Sequence, residues 1–586
     1  MRRLGRAGVI VACVVGAGTA RAAEALRFRQ QCLRDLTAAV PGIMQSQEAR
    51  TGRFSSGVWI VSDQNVILPL AVAWATRDAA NPYYHRDEIL RAIMAGGDAL
   101  IDDQDAAGQW VFRKKDGSTW GKIHMPWTYS RWIRTYGLIR DAMPPERRQR
   151  WEKALRLGYG NIAQKALGSV HNIPSHHAMG LHFAGRLLGE PAWEKKAAEF
   201  LRKVAAAQHR DGYWSEHMGP VVQYNYVYVD ALGTYYIETR DAAVLPALER
   251  ASQFHRRFTY PDGTPVETID ERTPYDADVK LPNPGFTITA EGRAFVAILL
   301  RAWGSRPLPA DVAALLLLHG LEGPASGDTG AGQDRFLLGE GDAAVWRRGP
   351  WFLVASAMVC PVVPNRWIQD RQNLVSVFHE RTGLILGGGN TKLQPRWSTF
   401  TVGDPEMLRH KAGDENPSFI PPAGILHVPT KAALVEQETS DSGSSRIGLA
   451  LEYGRQRCGV TMTAIDQATL ELVYSVVGPC EAPVAAHITL LPRIGQPVRT
   501  AAGREVRLGH EAFLWRSSDV GGWIEHAALR IESPATAQVR WPVLPHNPYR
   551  KDGRAEPGEG RLVVDLPFPG EGGTQKVVLR VAAGEK

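Results

Sequence analysis

The stretch that decides the fold is Asp211-Gly-Tyr-Trp-Ser-Glu-His217-Met-Gly-Pro-Val-Val-Gln-Tyr224-Asn-Tyr226-Val-Tyr228. Its first Asp-Gly pair is a turn signal, and the Gly-Pro pair in its middle places a proline where a helix can begin. Tyr224 and Tyr228 then lie one helical turn apart on a single stripe, whereas Tyr226 points about 200° away from both. The stretch therefore predicts a loop that presents His217, followed by a helix with one phenol set apart from the other two.

Helical patterning extends in both directions from this stretch. Between about residue 25 and about residue 330, apolar side chains recur every three to four positions, as in the stripe from Trp193 to Gln208 that follows Pro191. Consecutive helices without intervening strands indicate antiparallel helical hairpins, and an incomplete α/α toroid is the closed form that such an array often takes. Further helices are predicted at 64–78, 86–103, 126–141, 146–166, 174–188 and 288–303.

The pattern changes after about residue 335, where short β-rich runs are separated by turns rich in Gly, Pro and Asn. These runs predict a mostly antiparallel β-sandwich. The chain is therefore expected to be a multidomain protein with α then β structure. The expected divisions are a signal segment over 1–22, an α/α toroid over 23–325 and a β-sandwich over 335–586, with a linker near 323–334. The clearest β runs begin at Trp351, Leu384, Leu470 and Leu562.

The first 22 residues have the features of an export signal. Arginines at the start precede an apolar run from Gly8 to Gly18, and Ala20-Arg21-Ala22 offers a small-x-small cleavage site. The apolar run is shorter than the roughly 20 residues that span a bilayer, so we expect a periplasmic or secreted protein without stable membrane insertion after cleavage. Cleavage lowers the formal net charge from +7 to +3. Because the chain has no dense Lys/Arg stripe or nucleic-acid motif, no nucleic-acid partner is expected.

Neither a metal nor another cofactor is expected. The cysteines left after cleavage are too widely spaced for a zinc-binding CxxC pair. Cys458 and Cys480 could form a disulfide in an oxidising compartment, or they could remain two buried thiols. His176, His177 and His182 are the alternative metal ligands, but neighbours on a helix point in different directions and no carboxylate follows at ligand spacing.

The order of residues in the 211–228 stretch resembles the catalytic segment of a known enzyme superfamily. An Asp-Gly-aromatic turn, an acidic residue, His217 and then Tyr226 nine positions later are similar to the segment of the hyaluronate, chondroitin AC and xanthan lyases. They are also similar to the related heparinase II/III-type and alginate lyases, whose folds join an α/α toroid to a β-sandwich. The resemblance implies a polysaccharide lyase that cleaves a uronic-acid-containing acidic polysaccharide by metal-independent β-elimination.

Elimination at a uronic acid needs three groups around one sugar ring. A base removes the C5 proton, an acid protonates the departing O4, and a third group neutralises the neighbouring carboxylate. The resemblance implies His217 as base or as a partner in substrate binding, and Tyr226 as general acid, or as both acid and base. It also implies an upstream asparagine that holds the carboxylate, and Asn172 precedes His217 by 45 residues and Tyr226 by 54.

Six further side chains are candidates for binding the polysaccharide. Arg272 follows the tyrosine helix, where the superfamily has an arginine, although an ion pair with Asp270 or Glu271 is an equal alternative. Trp127, at the start of a predicted helix, either stacks on a sugar ring or belongs to the core. The remaining candidates are His176, His177, Tyr224 and Arg396. For His176 and His177 the alternative is a position in the core.

Two other functions fit the same stretch. A glycoside hydrolase on a similar toroid would need two opposed carboxylates, one from Asp211 or Glu216 and one from Glu267 or Asp270. A non-catalytic glycan-binding protein would need neither acid nor base. The reaction products distinguish these two functions from a lyase. Only a lyase leaves a 4,5-unsaturated uronate, which absorbs in the near ultraviolet. The oligomeric state is not evident from the sequence.

Overall fold

A computed structural model gives the positions of most of the chain. The expected order of a helical half followed by a β-rich half is confirmed. The signal segment predicted over 1–22 lies outside the described residues. The structure describes residues 25–54, 61–113, 119–273, 275, 277–327, 334–365, 367–368, 373–387, 394–405, 420, 424–438, 445–547, 550 and 552–582.

The helical half contains most of the α-helices in the described part of the chain. Each of the six helical stretches predicted from the sequence overlaps one of them, as does the stripe after Pro191. A short helix, α12, lies in the β-rich half at Ser517–Val520. The bounds of α1 to α11 are Arg29–Gln45, Ile67–Ala75, Asp87–Asp103, Pro126–Ile139, Pro145–Lys165, Asn172–Leu188, Pro191–Ala206, Val222–Thr239, Leu245–Arg257, Ala290–Trp303 and Ala310–His319.

The helices form two layers. Helices α2, α4, α6 and α8 contact one another in that order, and α6 is buried without a break from Ser175 to Gly185. Helix α7 buries only one stripe, which includes Ala197, Leu201 and Val204. A helix buried on all sides lies inside an assembly, whereas an amphipathic helix lies at its surface. Because antiparallel hairpins alternate in direction, α4, α6 and α8 all begin at the same end of the toroid.

The β-rich half is a sandwich of two antiparallel sheets. One sheet has the strand order β18-β21-β22-β15-β9-β8-β7-β6-β5, with β10 also paired to β15, and the other has the order β11-β12-β13-β14-β23-β20-β19-β16-β17. In the described part of the chain the bounds of β1 to β23 are Ala25–Leu26, Trp110–Arg113, Thr119–Ile123, Gly323–Pro324, Asp334–Leu338, Ala343–Arg348, Trp351–Ser356, Val375–His379, Gly383–Leu386, Phe400–Val402, Lys431–Glu438, Ser445–Tyr453, Gln456–Ala464, Thr469–Val477, Val484–Leu490, Pro497–Thr500, Glu505–Arg507, Phe513–Trp515, Trp523–His526, Leu529–Glu532, Gln538–Val543, Arg561–Pro567 and Gly573–Val581.

Strand β7 shows how the two halves are joined. Alternate residues of a strand face opposite sides of a sheet, and in β7 Leu353 packs into the sandwich core while Phe352 packs toward the toroid. Both faces are therefore covered, which explains the unbroken apolar run that begins at Trp351. We call the shared cluster the interdomain core; it consists of Tyr213, Val222, Phe254, Phe258, Tyr260, Val266, Ile269, Leu338, Ala343, Val345, Phe352, Val354, Phe378 and Leu384.

The linker predicted near 323–334 is partly a strand. Gly323–Pro324 pairs with Ala25–Leu26, so the end of the helical half is tied back to its beginning. Residues 328–333 lie outside the described part of the chain. In the β-sandwich, Cys458 and Cys480 are free thiols. None of the helices among the described residues is long and apolar enough to cross a membrane.

The close approach of α8 to the following chain gives a stability prediction. A Cβ added at Gly233 would lie 2.1 Å from the Cα of Gly285, and backbone cannot yield without moving the helix. We expect Gly233→Ala to lower the free energy of unfolding by about 1–3 kcal/mol in a denaturant titration. Gly42→Ala in α1 is the control, because nothing lies within 4 Å of the added carbon. Equal effects of the two changes would contradict this packing.

Candidate active site

The residues before α8 form a loop whose shape is set by Asn225. The Asn225 side chain accepts a hydrogen bond from the Trp214 amide at 2.7 Å and donates one to the Trp214 carbonyl at 2.9 Å. The Glu216 amide then donates to the Gly219 carbonyl at 3.1 Å, which closes a tight turn. His217 is exposed in this turn, and its ring has no hydrogen-bond partner among the described residues. The loop predicted to present His217 is therefore present.

Glu216 is the centre of the site. Its buried carboxylate accepts a hydrogen bond from the Tyr228 hydroxyl at 2.6 Å and one from Asn172 Nδ2 at 3.4 Å. Burial raises the pKa of Glu216, while the Tyr228 hydrogen bond and the electrostatic influence of nearby His171, His217 and Arg272 act in the opposite direction. Asn172 thus contacts Glu216, the chain neighbour of His217, and His217 is near enough to influence the same carboxylate.

Asn172 is the first residue of α6, and its amide group is oriented. Its Oδ1 accepts a hydrogen bond from the amide of Ile173 at 2.5 Å, so the NH2 end faces Glu216. The N-terminus of a helix also carries a partial positive charge. This end of the toroid therefore offers hydrogen-bond donors and a positive electrostatic potential, both of which favour binding of a carboxylate.

Arg272 supplies a cation that has no carboxylate partner among the residues that the structure describes. Its guanidinium carbon lies 4.8 Å from the centroid of the Tyr224 ring and 6.0 Å from that of Trp367. Asp270, one of the two ion-pair partners considered from the sequence, accepts instead from the backbone amide of Arg272. No carboxylate of a described residue lies within ion-pair distance of the guanidinium, and its Nε is buried without a hydrogen bond. Tyr224 and Arg272, both predicted to bind substrate, are therefore brought together.

Tyr226 lies on another side of α8, as its offset of two residues predicts. Its ring packs against His255 at 4.7 Å and against Phe286 at 4.9 Å between ring centroids, and only 6% of the residue is exposed. Its hydroxyl has no hydrogen-bond partner in the described part of the chain, yet it is not among the fully enclosed polar atoms. Burial raises the pKa of Tyr226, so the phenol keeps its proton at neutral pH.

His176 and His177 are in the buried core of the toroid, the alternative considered for them from the sequence. His176 Nε2 lies 2.8 Å from Ser130 Oγ, and the ring stacks on the half-buried Trp127 at 5.6 Å. Burial lowers the pKa of both histidines, that of His177 to about 3, so both are neutral at neutral pH. The described residues contain no group of three His, Cys, Asp or Glu side chains that could hold a metal ion.

Arg396 is held within the β-sandwich. Its Nη1 lies 3.0 Å from Asp565, whose other oxygen lies 2.8 Å from His487 Nδ1, and the Arg396 side chain is 12% exposed. A buried cation that is already paired is poorly placed to bind a polyanion. Its position therefore gives no support to a role in substrate binding.

The β-rich half reaches the site through residues that sequence reasoning missed. Cys360 Sγ lies 3.7 Å from Met218 Sδ, next to His217, and Trp367 faces Arg272. No sequence signal separates Trp367 from the many tryptophans of the core. Cys360 and Trp367 thus place the β-rich half next to Met218 and Arg272.

Comparison with solved structures identifies the architecture. The chain matches a chondroitin AC lyase from Streptomyces coelicolor A3 with a TM-score of 0.52 at 12% identity, over 95% of this chain and 80% of that one. The chain shares the fold of this lyase. Heparinase III matches with a TM-score of 0.53 at 10% identity, over 96% of this chain and 93% of that one. A Paenibacillus xanthan lyase matches with a TM-score of 0.56 at 12% identity, over 95% of this chain but 57% of that one.

The predicted resemblance to this superfamily is therefore confirmed at the level of the fold. No protein-family model matches the sequence, and no curated protein matches it.

Proposed function

We propose that this protein is a polysaccharide lyase that cleaves a uronic-acid-containing acidic polysaccharide by β-elimination after export from the cytoplasm. The observation that carries the proposal is the Arg272 guanidinium, a cation without a carboxylate partner among the described residues, close to the Glu216 carboxylate that binds Asn172. A uronate carboxylate would be a suitable partner for this guanidinium. The chondroitin AC lyase with the same fold was solved in complex with chondroitin sulphate, which is an acidic polysaccharide.

In the proposed reaction, Asn172 and Arg272 bind the carboxylate at C6 and withdraw negative charge from it. This makes the C5 proton acidic enough for removal by a side chain. His217, on an exposed loop, takes that proton, and the electron pair forms the C4–C5 double bond while the C4–O4 bond breaks. Tyr226 gives its proton to O4. The products are a 4,5-unsaturated uronate and a chain with a new hydroxyl group.

Burial divides the two proton-transfer roles between His217 and Tyr226. Because burial raises the pKa of Tyr226, its phenol is protonated at neutral pH and can donate a proton to O4. His217 is exposed and therefore able to approach the sugar ring. The proposal therefore uses His217 as the base and Tyr226 as the acid, although Tyr226 lies on another side of α8 from the contact of Tyr224 with Arg272. Tyr224 and Trp127 are the further sugar contacts of the proposal.

The carboxylates give little support to a glycoside hydrolase. Asp211 accepts from the Gly339 amide at 2.7 Å, and Asp270 accepts from the Val222 amide at 2.8 Å. Glu267 is 2% exposed and bonded across the interdomain contact to Ser376. A hydrolase requires two carboxylates that face one glycosidic bond, and these groups already have backbone or side-chain partners.

The test is to incubate the mature full-length protein with alginate, hyaluronan, chondroitin, heparan, glucuronan and ulvan. We expect at least one polymer to yield new reducing ends together with an equal amount of near-ultraviolet absorbance from the unsaturated product. The same polymer with its carboxyl groups reduced is the matched control, and it should not be cleaved because its C5 proton is no longer acidic. Reducing ends without absorbance would indicate a hydrolase, and binding without either product would indicate a glycan-binding protein; both outcomes contradict the proposal.

A further inference from the structure

One segment of the helical half, residues 267–273, is bonded to both the β-sandwich and the His217 loop. At its first end, Glu267 accepts hydrogen bonds from the Tyr260 hydroxyl at 3.0 Å and from Ser376 Oγ of β8 at 2.7 Å. The hydroxyl of Thr268 also contacts Ser376 Oγ. Arg561 of β22 adds a positive charge near Glu267. This end is therefore fixed to the first sheet of the sandwich.

At its other end, two carboxylates hold the backbone that follows His217. Glu271 accepts from the Met218 amide, with its two oxygens at 3.0 and 3.2 Å. Asp270 Oδ2 accepts from the Val222 amide at 2.8 Å, while its Oδ1 accepts from the amide of Arg272 at 2.8 Å. Hydrogen bonds to an ionised acceptor are roughly twice as strong as neutral ones. Met218 and Val222 thus lie in a fixed position relative to Arg272.

We infer that Asp270 and Glu271 are positioning residues for His217, and that the β-sandwich sets their position through Glu267 and Ser376. The inference rests on the proposed function. Glu271 is fully buried and Asp270 is 2% exposed, so both bonds are shielded from water. His217 itself is exposed and has no hydrogen-bond partner among the described residues, so its backbone neighbours are what fixes its place.

The physical need for such a device follows from the chemistry. A base that removes a carbon-bound proton has to lie in a near-attack geometry, and a displacement of about 1 Å costs about 10²-fold in rate. The loop that carries His217 is closed by the bond from Glu216 to Gly219, and its Met218 side chain is 40% exposed. Without Glu271, the tip of this loop loses its connection to Arg272 and hence to the bound carboxylate.

The kinetic test uses Glu271→Ala and Glu271→Gln. We expect Glu271→Ala to lower kcat by about 10- to 10²-fold while KM changes by less than about 3-fold, because orientation and not substrate binding is lost. Glu271→Gln keeps one acceptor oxygen for the Met218 amide, so it should recover most of kcat. Glu481→Ala, at a side chain that is 81% exposed on the β-sandwich, is the control and should match the wild type.

A double-mutant cycle separates positioning from a general loss of structure. If Glu271 acts through His217, Glu271→Ala should have no further effect on kcat in a His217→Ala protein. If the two losses multiply in full, Glu271 does not act through His217 and the inference is wrong. The same holds if Glu271→Ala retains the wild-type kcat.

Hydrogen exchange tests whether Glu271 holds the His217 loop, and it does not depend on catalytic activity. The amides of Met218 and Val222 should be protected in the wild type, and Glu271→Ala should expose Met218 while leaving peptides of the β-sandwich unchanged. If the wild type cleaves none of the six polymers, the proposed function is wrong. The exchange result still decides whether Asp270 and Glu271 hold the loop. Unchanged exchange at Met218 in Glu271→Ala would overturn the positioning role, whatever the activity.

Discussion

Tyr226→Phe is expected to abolish most turnover while the protein remains folded. Removal of a proton donor commonly costs roughly 10²- to 10⁴-fold in kcat, and we expect a loss in this range on whichever polyuronate the wild type cleaves. The change removes one hydroxyl that has no hydrogen-bond partner among the described residues. The ring contacts with His255 and Phe286 are kept, so the melting temperature should be unchanged. Initial rates in the near ultraviolet and a thermal melt measure the two effects.

Tyr224→Phe is the matched control for this prediction. Tyr224 meets Arg272 with the face of its ring, and phenylalanine keeps that face. We therefore expect Tyr224→Phe to retain most of kcat. Tyr224 is also more exposed than Tyr226, so the reverse result, with Tyr224→Phe inactive and Tyr226→Phe active, would transfer the role of proton donor to Tyr224.

Arg272→Ala is expected to give the second large effect. Removal of a preorganised donor from developing charge commonly costs about 10²- to 10³-fold in kcat, and we expect a loss of this size in kcat/KM. Arg272→Lys should restore part of it, because lysine keeps the charge but not the planar group that rests on Tyr224 and Trp367. The measurement is kcat/KM for each variant on the best polyuronate.

The control for Arg272 is Arg455→Ala, whose side chain is 91% exposed on the β-sandwich. Its kcat/KM should equal that of the wild type, which removes general loss of positive charge as the cause. If Arg272→Ala instead kept its kcat/KM and only lowered the melting temperature, Arg272 would be a packing residue between the two halves.

Most of the architecture can be predicted from the sequence because it depends on local patterns. A buried stripe such as that of α7 and the turns between helices are set by residues close together in the chain. The apolar run of β7 predicts a strand, but its two faces are covered by different layers, and that depends on distant parts of the chain. The predicted linker fails in part for the same reason, since Gly323 finds its strand partner at Leu26.

Only the part of the candidate site that depends on sequence spacing can be predicted. The spacing indicates the His217 loop and Asn172, and the structure joins them through Glu216. Spacing does not indicate that Tyr226 packs between His255 and Phe286, which come from later elements.

Distant contacts also explain why Arg272 forms no ion pair with the two acidic residues before it. Arg272 follows two acidic residues, which suggests a local ion pair, but both carboxylates are used elsewhere. Asp270 accepts from the Val222 amide, and Glu271 accepts from the Met218 amide, each about 50 positions earlier in the chain.

The interdomain core has a consequence for the relative motion of the two halves. Tyr260 of the toroid stacks on Phe378 of the sandwich at 5.0 Å between ring centroids, and Phe352 lies edge-on to the same tyrosine at 5.1 Å. Pulling the two halves apart would hydrate these rings and their apolar neighbours, at a cost of about 25 cal/mol for each Å² uncovered. The toroid and the sandwich are therefore held in one relative orientation by this apolar contact. Under the proposed function, a glycan would reach the His217 loop without a hinge motion that separates the two halves.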